Sequence, residues 1–276
     1  MDNSSHNIRQ ASLQDITNFL VSNGEKAFRA KQIWQWIWQR GVTDFEEMTN
    51  LSRTTRELLK QNWYFDNLEP IHIQTATDGT TKTAWKLHDG EVIESVLIPG
   101  NQKFTVCVSS QVGCKLGCKF CATGAIGHKR NMTADEITDQ ILYFYLAGHQ
   151  INSVSFMGMG EPLLNYDNLI KSIHILRDRN GLNFPTDGIT VSTVGPLNQL
   201  KKLREEHLKI QLTLSLHATD QRTRDAVIPH MKGQGVNEVV ESVLSYAERH
   251  NRKITIAYLL IPGFNDRNCD VRQLGR

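Results

Sequence analysis

Cys114, Cys118 and Cys121 fall within eight residues, in a Cys-x-x-x-Cys-x-x-Cys spacing. Three thiolates so arranged can hold three irons of a cubane [4Fe-4S] cluster and leave the fourth iron open. In radical chemistry that open iron chelates the amino and carboxylate groups of S-adenosylmethionine (SAM). One electron, from a donor such as flavodoxin or ferredoxin, then breaks the sulfonium bond. A trio of buried structural cysteines is the plainer alternative, and a zinc site is the nearer rival. Structural zinc takes four ligands, and only His128, in a Gly-rich segment with basic neighbours, offers itself as the fourth. The remaining cysteines, Cys107 and Cys269, make the total odd. In a reducing compartment that pattern favours ligation over a disulfide framework.

Two further segments fit such a centre. Met157-Gly158-Met159-Gly160-Glu161-Pro162 ends a strand. Taken as bare residues it is a Gly-rich turn before a helix. Beside an open iron, its backbone at Gly160 can present carbonyls, and Glu161 a carboxylate, to the ammonium of SAM. Ser192, and the run Ser215-Leu216-His217, can reach the ribose or carboxylate in the same way. A lone histidine at a strand end is more often a satisfied structural one, so His217 rests on its setting. No Asp or Glu occurs from Ser95 to Ala134, where Lys103, Lys115, Lys119, Lys129 and Arg130 are all basic. That excess suits either a solvated rim or a surface that receives phosphates.

The elements that must position these residues begin at Phe104. Strands are expected at Phe104–Ser109, Ser153–Met157, Gly188–Thr193, Lys209–His217 and Lys253–Ile261, with helices at Thr133–Ala147, Tyr166–Arg179, Pro196–Glu206 and Val236–Arg249. Alternation of this kind implies parallel strands with helices outside. No Gly-x-Gly-x-x-Gly follows the first strand, which favours a barrel over a dinucleotide-binding sheet. Parallel strands covered on both faces read as continuous apolar runs, yet these alternate. Val106, Val154, Val191 and Leu214 are interleaved with Thr105, Cys107, Ser155, Ser192 and Ser215. With the apolar faces against helices, the hydroxyl-bearing faces line the lumen, which suits a polar ligand. The cysteine loop follows the first strand, where β/α barrels carry their chemistry.

The fold class expected is therefore α/β: a partial (βα) barrel with five strands, preceded by a small helical domain and a β-rich extension. Residues 1–66 form the helical part, 67–100 the extension and 101–276 the barrel. In the first part Ile16, Leu20, Ile33, Trp34, Ile37 and Trp38 recur at helical spacing. Ser52 stands as an N-cap. Trp34, Trp36 and Trp38 read as core, Trp36 being hardest to place on the same face. This part holds eight acidic and eight basic residues, so charge does not mark it for RNA. In the extension, Asp78-Gly79 and Asp89-Gly90 separate three strands. The chain is 39% hydrophobic and 22% charged, with a net charge of +2, ordinary for a folded soluble protein. No apolar run approaches membrane-spanning length and Met1–Gln10 is polar, so a cytoplasmic location with no membrane partner is expected.

The sequence resembles the RlmN/Cfr family of radical SAM adenosine methyltransferases. The likeness is carried by Val92–Pro99, Cys107–Cys114, Cys118-Lys119-Phe120-Cys121, Gly158–Pro162, Val191-Ser192-Thr193 and Ser215-Leu216-His217, in family order. Ala122-Thr123-Gly124 and Ala134–Gln140 look closer to the Cfr-like branch, Gly160–Leu163 to RlmN. The resemblance implies methylation of one adenosine of 23S ribosomal RNA, at C2 (RlmN) or C8 (Cfr). RlmN-like members also modify a tRNA anticodon-loop adenosine. It implies two SAM molecules. One methylates a C-terminal cysteine, and the other yields the radical that activates that methyl. It makes Glu94 the proton acceptor and Cys107 the cysteine that resolves the protein–RNA link. Read as residues alone, Glu94 is either a general base with a raised pKa in an apolar strand or a surface carboxylate. Cys107 is either lumen-facing or a small buried strand residue.

The family's C-terminal part, with its methyl-carrying cysteine in an Ala-Cys-Gly context and a SAM-contacting asparagine, has no counterpart before Arg276, and neither has a sixth strand. Cys269, in Asn268-Cys269-Asp270, is not assigned that role. The chain is accordingly expected to be a fragment, a degenerate member or one completed by a partner, equipped to bind and cleave SAM. The contrasting expectations are a non-catalytic RNA-binding remnant and a radical SAM enzyme with a different substrate.

Overall fold

The computed structural model describes residues 6–101 and 103–275; the first five residues of the helical region, Gln102 and Arg276 lie outside it. Strand β1 (His6–Asn7) pairs in parallel with β2 (Trp63–Tyr64), closing the ends of a three-helix unit. Its helices are α1 (Leu13–Ser22), α2 (Phe28–Trp38) and α3 (Arg53–Asn62). Ser12 and Asp15 form a reciprocal capping box on α1, and the Ser52 hydroxyl accepts from the Thr55 N–H at the start of α3. Ile16, Leu20, Ile33, Trp34, Ile37, Trp38 and Leu59 fill its core. Trp36 is half-buried against the edge of this core: its indole N–H donates to Asn50 Oδ1 at 2.7 Å, and Arg40 stacks 4.3 Å from its ring.

Eight strands then form one sheet in the order β12-β11-β10-β9-β6-β5-β4-β3. Strands β3 (Glu69–Thr75), β4 (Thr81–Lys86) and β5 (Val92–Pro99) are an antiparallel meander, turned at Gly79 and Gly90, both with positive φ. The meander is continuous with the barrel, because β5 pairs antiparallel with β6 (Phe104–Cys107). Pro99-Gly100, which reads as an end, is the turn of that hairpin, with Gly100 N–H donating to the Lys103 carbonyl at 2.8 Å.

After β6 comes a short hairpin, β7 (Gln111–Gly113) with β8 (His128–Asn131), enclosing the one-turn helix α4 (Ala122–Ala125). The βα alternation follows: α5 (Ala134–Leu146), β9 (Ile151–Phe156), α6 (Tyr166–Arg177), β10 (Ile189–Thr193), α7 (Leu197–Glu205) and β11 (Gln211–Ser215). Then come α8 (Gln221–Val227), α9 (Val236–His250), β12 (Ile254–Ala257) and α10 (Asn268–Leu274). Strands β6, β9, β10, β11 and β12 run parallel to one another, as the alternation predicts. Val106, Val154, Phe156, Val191, Leu212 and Leu214 are buried with Ile137, Ile141, Ile173, Leu200 and Val243 of the outer helices. Each such side chain contributes roughly 1.5–3 kcal/mol relative to exposure. No described helix is long and apolar enough to cross a membrane.

The helical unit sits on α5 and α6, contributing to one core with Ala134, Leu142 and Ile175. A buried polar tie fixes it there. Arg9 Nη1 meets Asp139 Oδ2 at 2.8 Å, with side-chain exposures of 3% and 6%, and Asn7 Nδ2 donates to Asp135 at 2.8 Å. Removing one partner of a buried pair strands the other charge. Arg9→Ala is therefore expected to cost about 3 kcal/mol or more, read as a lower urea midpoint. Arg9→Met combined with Asp139→Leu is expected to recover most of that loss.

Candidate active site at the cysteine loop

Register places the lumen face directly. Cys107 lies beside Val96 on one side and Ser155 on the other, and Ser155 beside Thr190. Ser192 lies beside Thr213, and Thr213 beside Thr255. Partners in register share a face, so one wall carries Cys107 and a row of hydroxyls. Ser192 Oγ and Ser215 Oγ are 3.1 Å apart. Burial pushes the Cys107 thiol pKa up, with the nearby Ser155 hydroxyl and Met157 backbone working against it. Glu94 belongs to the same row, two residues from Val96. It is half-exposed and pairs with Lys82 at 3.0 Å, the surface-carboxylate alternative of the two the sequence offers.

The cysteine loop is held at this wall by the β7–β8 hairpin. Cys114 N–H donates to the Gly127 carbonyl at 2.7 Å, and Cys121 N–H to the Cys118 carbonyl at 3.1 Å. On its far side, Lys119 N–H donates to the Val227 carbonyl at the end of α8. Cys114 packs with Leu116, Val194, Val227, Ile228 and Met231, and Cys118 and Phe120 lie against them. Gly124 is tight against Cys118: a Cβ there would lie 2.9 Å from the Cys118 nitrogen. All three cysteines are free of disulfides.

Burial, with the neighbouring Cys114, Cys121 and Glu161 adding to it, pushes the Cys118 thiol up to about 12. Burial also raises Cys114, with Glu161 and Cys121 adding to it. Two thiols whose ionisation burial disfavours, Cys114 and Cys118, are suited to a cationic ligand, since metal binding drives the protons off. Among the described residues, no three His, Cys, Asp or Glu side chains converge as ligands of a single ion. As donors, three thiolates fit a cluster in which each takes its own iron. His128 faces Gln111 and Asn131 instead of completing a zinc tetrad.

The Gly-rich segment after β9 closes against the loop. Met159 carbonyl accepts from the Ser110 and Gln111 N–H groups, and Gly158 N–H donates to Val108. Gly160, at φ +100°, packs so closely that a Cβ would lie 2.6 Å from Gln111 Cβ. Among the described residues the Gly158 and Gly160 carbonyls accept nothing from the protein. Glu161 differs from expectation. It is buried, and its carboxylate accepts from the Thr193 hydroxyl at 2.6 Å, Val194 N–H at 2.9 Å and Leu163 N–H at 3.1 Å. Burial pushes its pKa up to about 7. Its bonds tie the end of β9 to the end of β10.

His217 has φ +55° and closes β11. Its Nδ1 accepts the Leu259 N–H at 3.0 Å, and burial lowers its pKa to about 4, so the ring is neutral with hydrogen on Nε2. Its ring meets Phe120 edge-on at 4.8 Å, which joins the fourth parallel strand to the cysteine loop. Leu216 is buried beside it, its N–H on the Ala257 carbonyl. Cys269 is elsewhere. It lines a groove with Ile256, Val240 and Arg272, on the helix side of the sheet and not the lumen side.

Several residues that shape the site carry no motif signal of their own. Gln140 brackets Ser109 with both ends of its amide, at 2.9 and 3.0 Å. Asn165 donates to the Ser110 and Met132 carbonyls, both at 2.7 Å. Gln111 accepts from Glu161 N–H at 2.9 Å. Such amides are visible in sequence only as polar residues inside helices and turns. The basic rim is smaller than the sequence suggests, because Arg130 is spent on Asp89 at 2.5 Å and Glu136 at 2.7 Å. Arg130 holds the Asp89 carboxyl down at about 2. Lys115, Lys119 and Lys129 remain exposed.

Comparison with known proteins agrees with this geometry. Residues 6–64 match the ribosomal RNA large subunit methyltransferase N-terminal domain, and residues 108–274 the radical SAM superfamily. A probable dual-specificity RNA methyltransferase RlmN from Dictyoglomus turgidum is 44% identical, over 98% of this chain and 79% of that protein. The dual-specificity RNA methyltransferase RlmN of Oleidesulfovibrio alaskensis is 42% identical, over 98% and 77%. A probable RlmN from Cytophaga hutchinsonii is 40% identical, over 97% and 74%. The crystal structure of a radical SAM methyltransferase from Sphaerobacter thermophilus superposes with a TM-score of 0.90 at 34% identity, covering 98% of this chain and 80% of that one.

Proposed function

We propose that this chain, which belongs to the RlmN family of radical SAM RNA methyltransferases, methylates an adenosine of 23S ribosomal RNA at C2 and a tRNA anticodon-loop adenosine by the same site. The observation that carries this reading is the juxtaposition of the three-cysteine loop with a hydroxyl-lined lumen that also holds Cys107. Cys114, Cys118 and Cys121 would hold a [4Fe-4S] cluster, which when bound supplies the electron that cleaves SAM.

The remaining roles belong to the chain's own groups. The free carbonyls of Gly158 and Gly160 stand beside the loop as acceptors for the ammonium of SAM. Ser192 and Ser215 offer hydroxyls to its ribose or carboxylate, and the Nε2–H of His217 is a donor on the same rim. Glu161 acts by position: with its oxygens taken up by Thr193, Val194 and Leu163, it fixes the Gly-rich backbone for that task. Cys107 faces the lumen on the same wall as those hydroxyls, where a base can approach its sulfur. Glu94, on the same row but nearer solvent, would take the proton from the base after exchanging its Lys82 partner. Lys115, Lys119 and Lys129 lie around the loop as cations for the phosphate backbone.

The test is mass spectrometry of nucleosides from ribosomal and transfer RNA of an RlmN-deficient strain, after incubation with reconstituted protein, SAM and a reducing system. With the methyl-carrying cysteine of the family's C-terminal segment supplied, 2-methyladenosine in both RNAs is the expected product. 8-Methyladenosine would move the chain to the Cfr reaction, and no modified adenosine in either RNA would favour a non-catalytic remnant or another substrate.

A further inference from the structure

Arg224, on α8, is fully buried, with 0% of its surface exposed. Its Nη2 donates to the Val194 carbonyl at the end of β10. Among the described residues its Nε and Nη1, both buried, have no hydrogen-bond partner. The acids nearby are already committed. Asp225 is bound by Gln221 at 2.7 Å, and Glu161 by its three donors. Its other polar neighbours are the neutral His217 ring and the Cys118 thiol, and of these the thiol is the one that becomes anionic when it takes a metal. A buried cation with free donors is costly unless an anion meets it, and an apolar side chain would pack the same space without that cost. The position therefore calls for an anionic acceptor on the Cys118 side.

We propose that Arg224 is the internal counter-cation of the cluster at Cys114, Cys118 and Cys121, donating from Nε and Nη1 toward the Cys118 side and raising its reduction potential. The inference rests on the cluster-site reading above. Reduction adds negative charge, so a fixed cation and N–H donors in a dry surrounding favour the reduced form. Because α8 also receives the Lys119 N–H through Val227, the same short helix holds both the loop and its countercharge.

Wild type, Arg224→Met and Arg224→Lys are to be reconstituted anaerobically, assayed for iron and sulfide, and titrated with reductant by electron paramagnetic resonance without SAM. At the potential that half-reduces the wild type, the reduced-to-oxidised ratio of Arg224→Met is expected to fall about tenfold, equivalent to 59 mV for a one-electron step. Arg224→Lys, which keeps the charge and loses the fork, is expected to fall between the two. SAM affinity of the oxidised clusters is expected to stay unchanged. An unchanged potential in loaded Arg224→Met overturns the proposal, and if SAM affinity then drops, the donors belong to the SAM carboxylate. Should Arg224→Met fail to load, Arg224→Lys decides, a wild-type potential there being the contrary result. Wild type that binds no iron refutes the cluster site itself, which separates that failure from this one.

Discussion

Replacing Cys118 with alanine is expected to give a folded protein that holds no [4Fe-4S] cluster and forms no 5′-deoxyadenosine from SAM. Two thiolates leave a second iron of the cubane without a protein ligand, and the neighbouring Glu161 carboxylate is already held by Thr193, Val194 and Leu163. The fold should tolerate the change. Cys118 is half-buried at the edge of an apolar cluster, and its backbone contacts are independent of the sulfur. The measurement is iron and sulfide content after reconstitution, beside a urea melt of the apoprotein. The expected pattern is loss of the first with little change in the second. Cys269→Ala, on the far face of the sheet, is expected to retain both cluster and SAM cleavage. Cys107→Ala should load and cleave SAM normally while losing RNA methylation, because its sulfur faces the lumen apart from the three-cysteine set.

Gly113→Ala is expected to do nearly as much harm without touching a ligand. Gly113 has φ +75°, and a Cβ there would lie 1.9 Å from the Gly127 carbonyl oxygen, the acceptor for Cys114 N–H. Backbone has to move, and what moves is the hairpin that sets Cys114. Left-handed strain and overpacking together cost roughly 3 kcal/mol. Directed at the loop, that is about a hundredfold weaker retention of the cluster, measured as iron release to a chelator. Gly127→Ala is the matched control. Its φ is +78°, but a Cβ meets nothing within 4 Å, so only the conformational cost of about 1 kcal/mol applies. Equal iron release from the two variants would refute the steric account of the hairpin.

The parallel strands were readable because alternation of apolar and hydroxyl residues is a local pattern. Thr105, Cys107, Ser155 and Ser192 declare one face, and Val106, Val154 and Val191 the other, before any pairing is known. The β7–β8 hairpin left no such trace. It is three or four residues a side, and its pairing is imposed by the loop it clamps. Helix α8 left no trace either; only the folded chain shows that Arg224 is buried along with Thr223, while Arg222 beside them is exposed. Glu161 shows the same limit from the other side. Its place after a Gly-rich turn marks a site, but its partners Thr193 and Val194 lie at the end of another strand, so the sequence does not show the bonds that hold its carboxylate. The meander was legible as strands yet not as part of the barrel sheet, because Pro99-Gly100 reads as punctuation whether the chain stops there or turns back.

The central claim is that the cysteine loop and the lumen beside it form a SAM-cleaving centre. Its most direct test is anaerobic reconstitution with iron and sulfide, followed by SAM and a strong reductant, with 5′-deoxyadenosine quantified against the Cys118→Ala protein. The structure predicts cluster-dependent 5′-deoxyadenosine from the wild type and none from the variant. A fully cluster-loaded, reduced wild type that leaves SAM intact would contradict it.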